Sequence, residues 1–353
     1  MGILQFGAVL SDSTATRGLV PPPNRSTEQL MHIPDGFLST PVCLATGAIS
    51  IAAVGYSVYR LKHSLADRTI PLAGMVSALV FTGQMVNFPV LMGTSGHLVG
   101  GVLAARLVGP WAGCLSLTLV LFVQRFLFAD GGLLALGANV FHMAVVGAMG
   151  GYAIQAVVTR LLGRTTRASV IGTVVASWIT VMLAAFLCCL EFALSRDSLR
   201  GFDLGRFLVL MILFHAFIGI GESLISGGII RMVSFRRPDL LYQSEPSRVT
   251  RPGFPTAQGL LIALLVTICL APLASSLPDG LDSAIQQSVS VRPEVDSPSL
   301  FGSYEGIFGE TTWHVWSVIL SGLIGTLVVF AIAVILGRPY SGSDDTTPGD
   351  PSD

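Results

Sequence analysis

The chain has 353 residues, of which 52% are hydrophobic and 12% are charged, and its mean hydropathy is +0.71. Soluble globular domains carry about 25% charged residues, so the composition excludes an ordinary soluble domain and indicates a polytopic membrane protein. The formal net charge of −1 gives no indication of a nucleic-acid partner, and we expect none.

The beginning of the chain differs from the rest. Residues 1–30 are polar and Pro-rich, as in SDSTATRGLVPPPNRSTEQ, and they lack the long apolar run of a signal peptide. We interpret them as a disordered extension, or as sequence upstream of a true start at Met31.

Apolar segments then recur along the chain and predict eight or nine membrane crossings. The third segment is too short to span unaided, because a crossing needs about 17–25 residues, and we expect a half-helix or a tilted helix there. The segments are 40–60, 71–91, 98–109, 111–128, 133–160, 168–191, 207–230, 257–275 and 314–336.

The distribution of Lys and Arg predicts the orientation, because cytoplasmic loops carry an excess of both. The asymmetry places the Met31 side outside the cytoplasm, in a plasma or inner membrane. The predicted outer loops hold Arg196, Arg200, Arg206 and Arg292. The predicted inner loops hold Arg60, Lys62, Arg68, Arg160, Arg164, Arg167, Arg231, Arg236, Arg237, Arg248, Arg251 and Arg338.

These segments predict an all-α polytopic integral membrane protein with two parts. A specificity core of six or seven helices covers residues 31–232, and a cytoplasmic linker covers 233–256. A two-helix module follows over 257–336, with an external loop at 276–313. Residues 337–353 are predicted to be a disordered tail.

Several catalytic motifs are missing from the sequence. The single lysine is Lys62, so the GxxxxGK[ST] phosphate loop of an ATPase is absent, as are HExxH and GxSxG. We therefore expect no enzyme, and any energy from ATP must come from another subunit.

Two histidines lie in predicted outer segments that are too polar to span. His32 follows Met31 in MHIPDGFLS, and His97 ends the Gly- and Ser-rich turn FPVLMGTSGH. If Met31 were the N-terminus, its amine, the His32 amide nitrogen and the His32 imidazole would form two fused chelate rings. The His97 imidazole would complete a planar four-nitrogen set, which suits Ni(II) or Cu(II). The alternative is two unrelated loop histidines.

Polar residues before His97 allow two interpretations. Gln84, Asn87, Thr94 and Ser95 could orient its imidazole, as the partners of metal-bound histidines do. Hydrogen bonding between helices explains them equally well.

Intramembrane ionisable residues suggest alternatives of another class, because such residues are costly in a bilayer. A membrane-embedded metalloenzyme would use His142, His215 and Glu222, provided that these three converge on one cavity. For Glu222 itself, which we predict near the inner end of its helix, a structural or partner-contact role is favoured over metal ligation. A second alternative is a purely structural subunit with incidental histidines.

Five motifs in order carry a resemblance to a known family: MHIPDGFL, QMVNFPV, GTSGHLVG, LFADGGLLALGANV and GIGES. They resemble the cobalt/nickel substrate-specificity (S) subunit of energy-coupling-factor ABC transporters, the CbiM/NikM family, over about residues 31–232. The resemblance implies that Met31, His32 and His97 bind the metal, with Ni(II) or Co(II) as the transported substrate. It also implies a transmembrane coupling (T) subunit and cytoplasmic ATPase (A) subunits as partners.

The C-terminal module carries its own resemblance. SLPDGLDSA, residues 276–284, is similar to the PDGLE-type motif of the small two-helix companion subunit (CbiN/NikN-like), here fused to the core. Asp282 stands where the motif usually has Glu, which retains the charge. Asp279 and Asp282 are therefore candidates for a partner contact or a structural role, although an ordinary Pro-Asp-Gly turn explains them too. Such a fusion favours nickel over cobalt.

Overall fold

A computed structural model describes residues 31–62, 69–199, 201–242, 256–270, 274–275, 277–289 and 314–337. It confirms the all-α membrane architecture, since six helices of the described part are long and apolar enough to cross a bilayer. Two shorter apolar helices, Pro71–Met85 and Ala257–Leu270, add to them. Residues 1–30, most of the predicted linker and nearly all of the predicted tail lie outside the described residues.

The described helices follow the apolar segments of the sequence, with a short π-helix (Phe141–Gly150) inside the helix that α5 begins and α6 ends. In chain order they are α1 (Thr40–Lys62), α2 (Thr69–Met85), α3 (Gly101–Val108), α4 (Pro110–Phe128), α5 (Leu136–Val140), α6 (Gly151–Leu161), α7 (Thr166–Leu194), α8 (Leu204–Arg236), α9 (Thr256–Leu270), α10 (Gly280–Ser288) and α11 (His314–Gly337).

The third apolar segment forms a half-helix, as its length predicted. Helix α3 has 8 residues and is therefore roughly 12 Å long, less than half of a bilayer core. The chain between α2 and α3 is a loop that contains two short antiparallel strands, β1 (Phe88–Pro89) and β2 (Ser95–Gly96). The predicted helical segment 71–91 accordingly ends early, at Met85, and the rest of it belongs to this loop.

The half-helix lies against the π-helix with no side chain between them. A Cβ atom added at Gly101 would lie 2.5 Å from the carbonyl carbon of Gly147. Helices in a membrane associate through such close approaches of small residues, since lipid supplies no hydrophobic drive between them. The contact fixes the depth of the loop that precedes α3.

Buried apolar side chains form two clusters among the described residues. One is centred on α4 and includes Phe81, Leu117 and Phe128. The other lies at the end of the bundle that carries Met31, where Phe192 stacks on Phe207 with ring centroids 4.3 Å apart. This second cluster joins the Met31 segment, α7, α8 and α10, and so it positions the candidate site.

The C-terminal helices pack on α2, which agrees with a two-helix module appended to the core. Three buried threonines join them: the hydroxyl of Thr82 lies 2.9 Å from that of Thr267 and 3.1 Å from that of Thr326. The predicted external loop 276–313 differs from expectation, because its first part forms helix α10. Asp279 caps this helix, its carboxylate accepting from the amide of Asp282 at 2.7 Å, as Asp at an N-cap does.

We expect Gly101→Ala to destabilise the fold. The added methyl meets backbone atoms of Gly147, which cannot rotate away, so the α3 contact must open at a cost of about 1–3 kcal/mol. Thermal unfolding of the purified protein should show a melting temperature several degrees lower. Gly55→Ala is the matched control, since nothing lies within 4 Å of its added Cβ. Equal melting temperatures in the two variants would contradict the close contact.

Candidate metal site

The Met31 segment enters the helix bundle as non-helical chain. Met31, His32 and Ile33 are buried, with at most 7% of their surface exposed. The amide of Ile33 donates to Asn139 Oδ1 at 3.0 Å, and Asn139 Nδ2 donates back to the carbonyl of Ile33 at 3.1 Å. The amide of Gly132 donates to the same carbonyl at 2.8 Å. The side chain of Asn139 thus replaces the partners that a helix or sheet would give this segment.

Asp35 anchors the next turn of the same segment. Its carboxylate accepts from three successive amides, those of Leu133, Leu134 and Ala135, at 2.7, 2.8 and 3.1 Å. These amides stand at the start of α5, where unpaired backbone donors collect and a carboxylate is favoured. Residues of the motif MHIPDGFL therefore hydrogen-bond to residues of the motif LFADGGLLALGANV.

Asp130 lies beside both residues that begin the Met31 segment. Its Oδ1 accepts from the main-chain nitrogen of Met31 at 3.1 Å, and its Oδ2 lies 2.9 Å from Nδ1 of His32. The distance between His32 and Asp130 is that of an ion pair, but the two groups are misaligned for a hydrogen bond. Within the described part of the chain, both ring nitrogens of His32 and Oδ2 of Asp130 consequently lack a hydrogen-bond partner. Buried polar atoms in this condition point to a missing ligand.

His97 faces His32 across the site. The two ring centroids are 5.9 Å apart, with 52° between the ring planes. Nδ1 of His97 lies 3.3 Å from the carbonyl of Leu98, which can only accept, so in the neutral imidazole this nitrogen carries the proton and Nε2 has the lone pair. Nε2 lies 3.6 Å from Oδ2 of Asp279. Burial opposes a charge on His97, but the carboxylate of Asp279 outweighs it and raises the pKa of the imidazole above its ordinary value.

The polar residues predicted to orient the His97 imidazole bind the main chain instead. Gln84 donates to the carbonyl of Val99 at 3.0 Å, and the hydroxyl of Ser95 donates to the carbonyl of Leu277 at 2.7 Å. A loop among helices has carbonyls and amides of its own to satisfy, and these side chains do so. The Thr94 hydroxyl likewise donates to the carbonyl of Leu91. The main chain of Asn87 is paired as well, its carbonyl accepting from the amide of Ser275. A role of these residues in orienting the His97 imidazole stays a prediction.

Glu222 has the structural role that we favoured, at a different depth. It lies past the middle of α8 and is 1% exposed. Its carboxylate accepts from the amides of Val99 and Gly100 at 2.7 and 3.0 Å. It therefore holds the end of the His97 loop at the start of α3 and does not face the site.

The PDGL turn of the C-terminal module closes the site on one side. The amide of Ser95 donates to the carbonyl of Pro278 at 2.8 Å, which pairs the module with the His97 loop main chain to main chain. Asp279 follows directly and brings its carboxylate to His97. The sequence singled out Asp279 as a candidate, but the spacing of residues along the chain could not predict that it lies next to His97.

A cavity of about 90 Å³ connects these groups and extends into the bundle. Glu222 is not among the described residues around it, so the three residues of the alternative metalloenzyme do not converge. No three His, Cys, Asp or Glu side chains of the described residues lie close enough to hold one ion. A site that holds an ion here with three or more protein nitrogens would require main-chain nitrogen among its ligands. The cavity is lined by His32, His97, His142, His215, Asn139 and Asp279, together with smaller and apolar residues.

Comparison with known proteins decides the family. Residues 32–240 match the family model CbiM, described as the cobalt uptake substrate-specific transmembrane region. The chain belongs to the CbiM/NikM family. The match covers the helices that surround the candidate site, and it confirms the resemblance carried by the five motifs.

Relatives extend the similarity into the C-terminal module. The chain is 33% identical to the putative fused nickel transport protein NikMN of Archaeoglobus fulgidus, over 87% of this chain and 98% of the relative. It is 32% identical to the probable fused nickel transport protein LarMN of Lactiplantibacillus plantarum, over 71% of this chain and 77% of the relative. The module after the core is therefore a fused NikN-like module.

A solved structure supports the same fold. A crystal structure described as a truncated transition metal transporter is 31% identical and superimposes with a TM-score of 0.51, covering 58% of this chain and 99% of that one. A second crystal structure, of a transition metal transporter, has the same identity and TM-score and covers 93% of that chain.

Proposed function

We propose that this protein captures Ni(II) or Co(II) at the outer face of the membrane, as the substrate-binding subunit of an ATP-driven importer. One observation carries the proposal: His32 and His97, from separate segments, face each other in a buried cavity next to the main-chain nitrogen of Met31. The relatives named for nickel transport and the cobalt-uptake family model support these substrates.

The proposed outer site consists of four nitrogens: the amine of Met31, the main-chain nitrogen of His32, Nδ1 of His32 and Nε2 of His97. The main-chain nitrogen of His32 would bind the ion after losing its proton, so binding would release a proton to solvent. Metal–imidazole bonds are about 2.1 Å long, so two rings at neighbouring corners of a planar site have centroids about 4.5 Å apart. The observed separation is 5.9 Å, so the rings would approach each other by roughly 1–2 Å on binding. No three suitable side chains of the described residues are clustered here, so main-chain nitrogens supply the other ligands of the proposed site. Planar nitrogen coordination favours nickel.

Charge favours a dication at this position. Asp130 lies against the Met31 nitrogen and His32, and Asp279 lies against His97, so two buried carboxylates flank the four nitrogens. On binding, Nδ1 of His32 would contact the ion in place of Asp130. Asp130 would remain next to the new positive charge. Both carboxylates lie on the ring nitrogens proposed as ligands, so their contribution is the attraction between a negative charge and a nearby cation.

A free amine is the chemical requirement of the site. An amide nitrogen that links Met31 to a preceding residue is a far poorer donor than an amine. The proposal therefore includes a working form of the chain that starts at Met31, produced by initiation there or by removal of residues 1–30.

Energy for import must come from outside this chain, whose sequence lacks a phosphate-binding loop. We propose a transmembrane coupling subunit and cytoplasmic ATPase subunits as partners, in the plasma or inner membrane, with Met31 outward as the Arg distribution indicates. Reorientation of the protein by these partners would loosen the Met31 segment and release the ion inward.

His97→Ala is expected to weaken nickel binding at least about 100-fold, or 2.7 kcal/mol, because it removes one of four donors. The measurement is a titration of the purified chain beginning at Met31, with a competing chelator. His63→Ala serves as the control, since the Lys and Arg pattern puts His63 in an inner loop. Unchanged affinity in His97→Ala would refute the site.

The requirement for the amine is tested with two forms of the chain. One begins at Met31, and the other retains residues 1–30, so that its Met31 nitrogen is an amide. We expect the extended chain to bind nickel at least about 100-fold more weakly, because its Met31 nitrogen is an amide. Intact mass and N-terminal sequencing of the native protein then show which form the cell makes. Equal affinities would remove the amine from the proposal while leaving the two histidines.

Asp130→Asn is expected to lower nickel affinity roughly 10- to 100-fold, because a buried negative charge next to the bound ion is lost. The amide keeps the size of the side chain and removes its charge. Asp197→Asn is the matched control, because the Asp197 side chain is 99% exposed. If both variants bind as tightly as the unchanged chain, Asp130 has no part in the site.

A further inference from the structure

The cavity beneath the outer site carries two histidines that the proposed four-nitrogen set does not use. His142 belongs to the π-helix and His215 to α8, and both are among the described residues that line the cavity. Imidazoles inside membrane segments are costly and mark substrate pathways when they face a cavity. The inference below rests on the proposed function and extends it inward.

His142 is backed by a buried carboxylate. Its Nε2 lies 3.0 Å from Oε1 of Glu191 on α7, and the two side chains are each 7% exposed. An ionised carboxylate can only accept, so Nε2 donates and Nδ1 keeps its lone pair. Within the described residues, the second oxygen of Glu191 has no hydrogen-bond partner, so the negative charge of this carboxylate is only partly compensated.

His215 is oriented in the complementary way. Its Nδ1 lies 2.8 Å from the carbonyl of Met211, one turn earlier in α8. The carbonyl accepts, so Nδ1 carries the proton and Nε2 keeps its lone pair. The ring lies next to the PDGL turn: a Cβ added at Gly280 would lie 3.3 Å from Cε1 of His215. His215 therefore sits directly under the group that closes the outer site.

Both histidines have the surroundings of metal ligands. A metal-binding histidine nearly always donates its other N–H to a carboxylate or a backbone carbonyl, as His142 and His215 do. The thioethers of Met143 and Met211 line the same cavity and add soft donors. The cavity volume of about 90 Å³ has room for an ion with a few waters. A π-helix at His142 is a further sign, since such segments concentrate at functional sites.

We propose that His142 Nδ1 and His215 Nε2 form an inner site, a transient stop for the same divalent ion after it leaves the outer site. With two imidazoles in place of four nitrogens, the inner site binds more weakly than the outer one. A weaker inner site lets the ion move inward, because a second tight site would hold it. The competing explanation is a structural tie, in which His142 and Glu191 only join the π-helix to α7.

Conservative variants separate these explanations. In His142→Gln the amide nitrogen can still donate to Glu191, and in His215→Asn it can still donate to the Met211 carbonyl, but neither side chain offers an imidazole. Each change is made in a chain that begins at Met31 and carries His32→Ala and His97→Ala, so that the outer site is absent. Thr180→Val in the same background is the control, a nearly isosteric change of another residue lining the cavity.

Nickel chloride is the probe, with bound metal counted after equilibrium dialysis. The background chain should bind one ion at least tenfold more weakly than the unchanged chain. His142→Gln and His215→Asn should each abolish this binding, and Thr180→Val should retain it. A background chain that binds no nickel, or binding that survives both histidine changes, overturns the inner site while the outer site stands. If the unchanged chain itself binds none, the proposed function fails and the inner site fails with it.

Uptake shows whether the inner site lies on the route. Cells whose sole copy of the chain carries His142→Gln or His215→Asn should accumulate radioactive nickel at least tenfold more slowly than cells with Thr180→Val. Uptake at the control rate in both histidine variants would overturn the proposal.

Discussion

The structure depends on one constraint, the need to satisfy main-chain hydrogen bonds of non-helical chain inside a helix bundle. Among the described residues, two of the segments outside the helices, 31–39 and 86–100, carry the two facing histidines of the candidate site. Irregular backbone at this depth persists only where protein groups replace the hydrogen bonds of a helix. Asn139 does so for the first segment, Asp35 does so for the loop before α5, and Glu222 does so for the second segment.

This constraint explains why so many polar groups of the core face backbone and so few face the cavity. A carboxylate or amide from one helix satisfies amides of another segment, and the pairing fixes the register between them. His32 and His97 are then held facing each other without any bond between them. Asp130 and Asp279 differ from the other acids, because each lies against one of these histidines.

Much of the fold could be predicted from the sequence, because its cause is local. The apolar runs predicted the membrane-crossing helices, and the short length of the segment 98–109 predicted the half-helix α3. Helix α10 was missed inside the expected loop, although Asp279 before a Gly-Leu-Asp run is an N-cap signal. Its amphipathic turns are buried against α8 by tertiary packing, which hydropathy along the chain does not record.

The candidate site was predictable in its histidines and less so in their neighbours. A Met-His pair with a free amine can chelate a metal ion, so the sequence alone pointed to His32. The polar turn before α3 pointed to His97. Asp130 stands in a quoted motif, yet its role depends on Met31, 99 positions earlier in the chain. Contacts across such separations follow from the packing of helices. The same reason explains why the sequence left two interpretations open for Gln84 and Ser95, whose partners are main-chain carbonyls.

A site divided between two segments also sets what release requires. A metal ion tolerates little displacement of its ligands, since functional geometry must be held within about 0.5 Å. The Met31 segment is fixed to α5 and the preceding loop, whereas the His97 loop is fixed to α8 and to the PDGL turn. A shift of 1–2 Å between those two groups of elements, a common size for helix movements, would separate the ligands without unfolding either segment. For the proposed metal site, the lowest-cost way to release an ion would therefore be relative movement of packed helices, and both groups of elements line the cavity that contains His142 and His215.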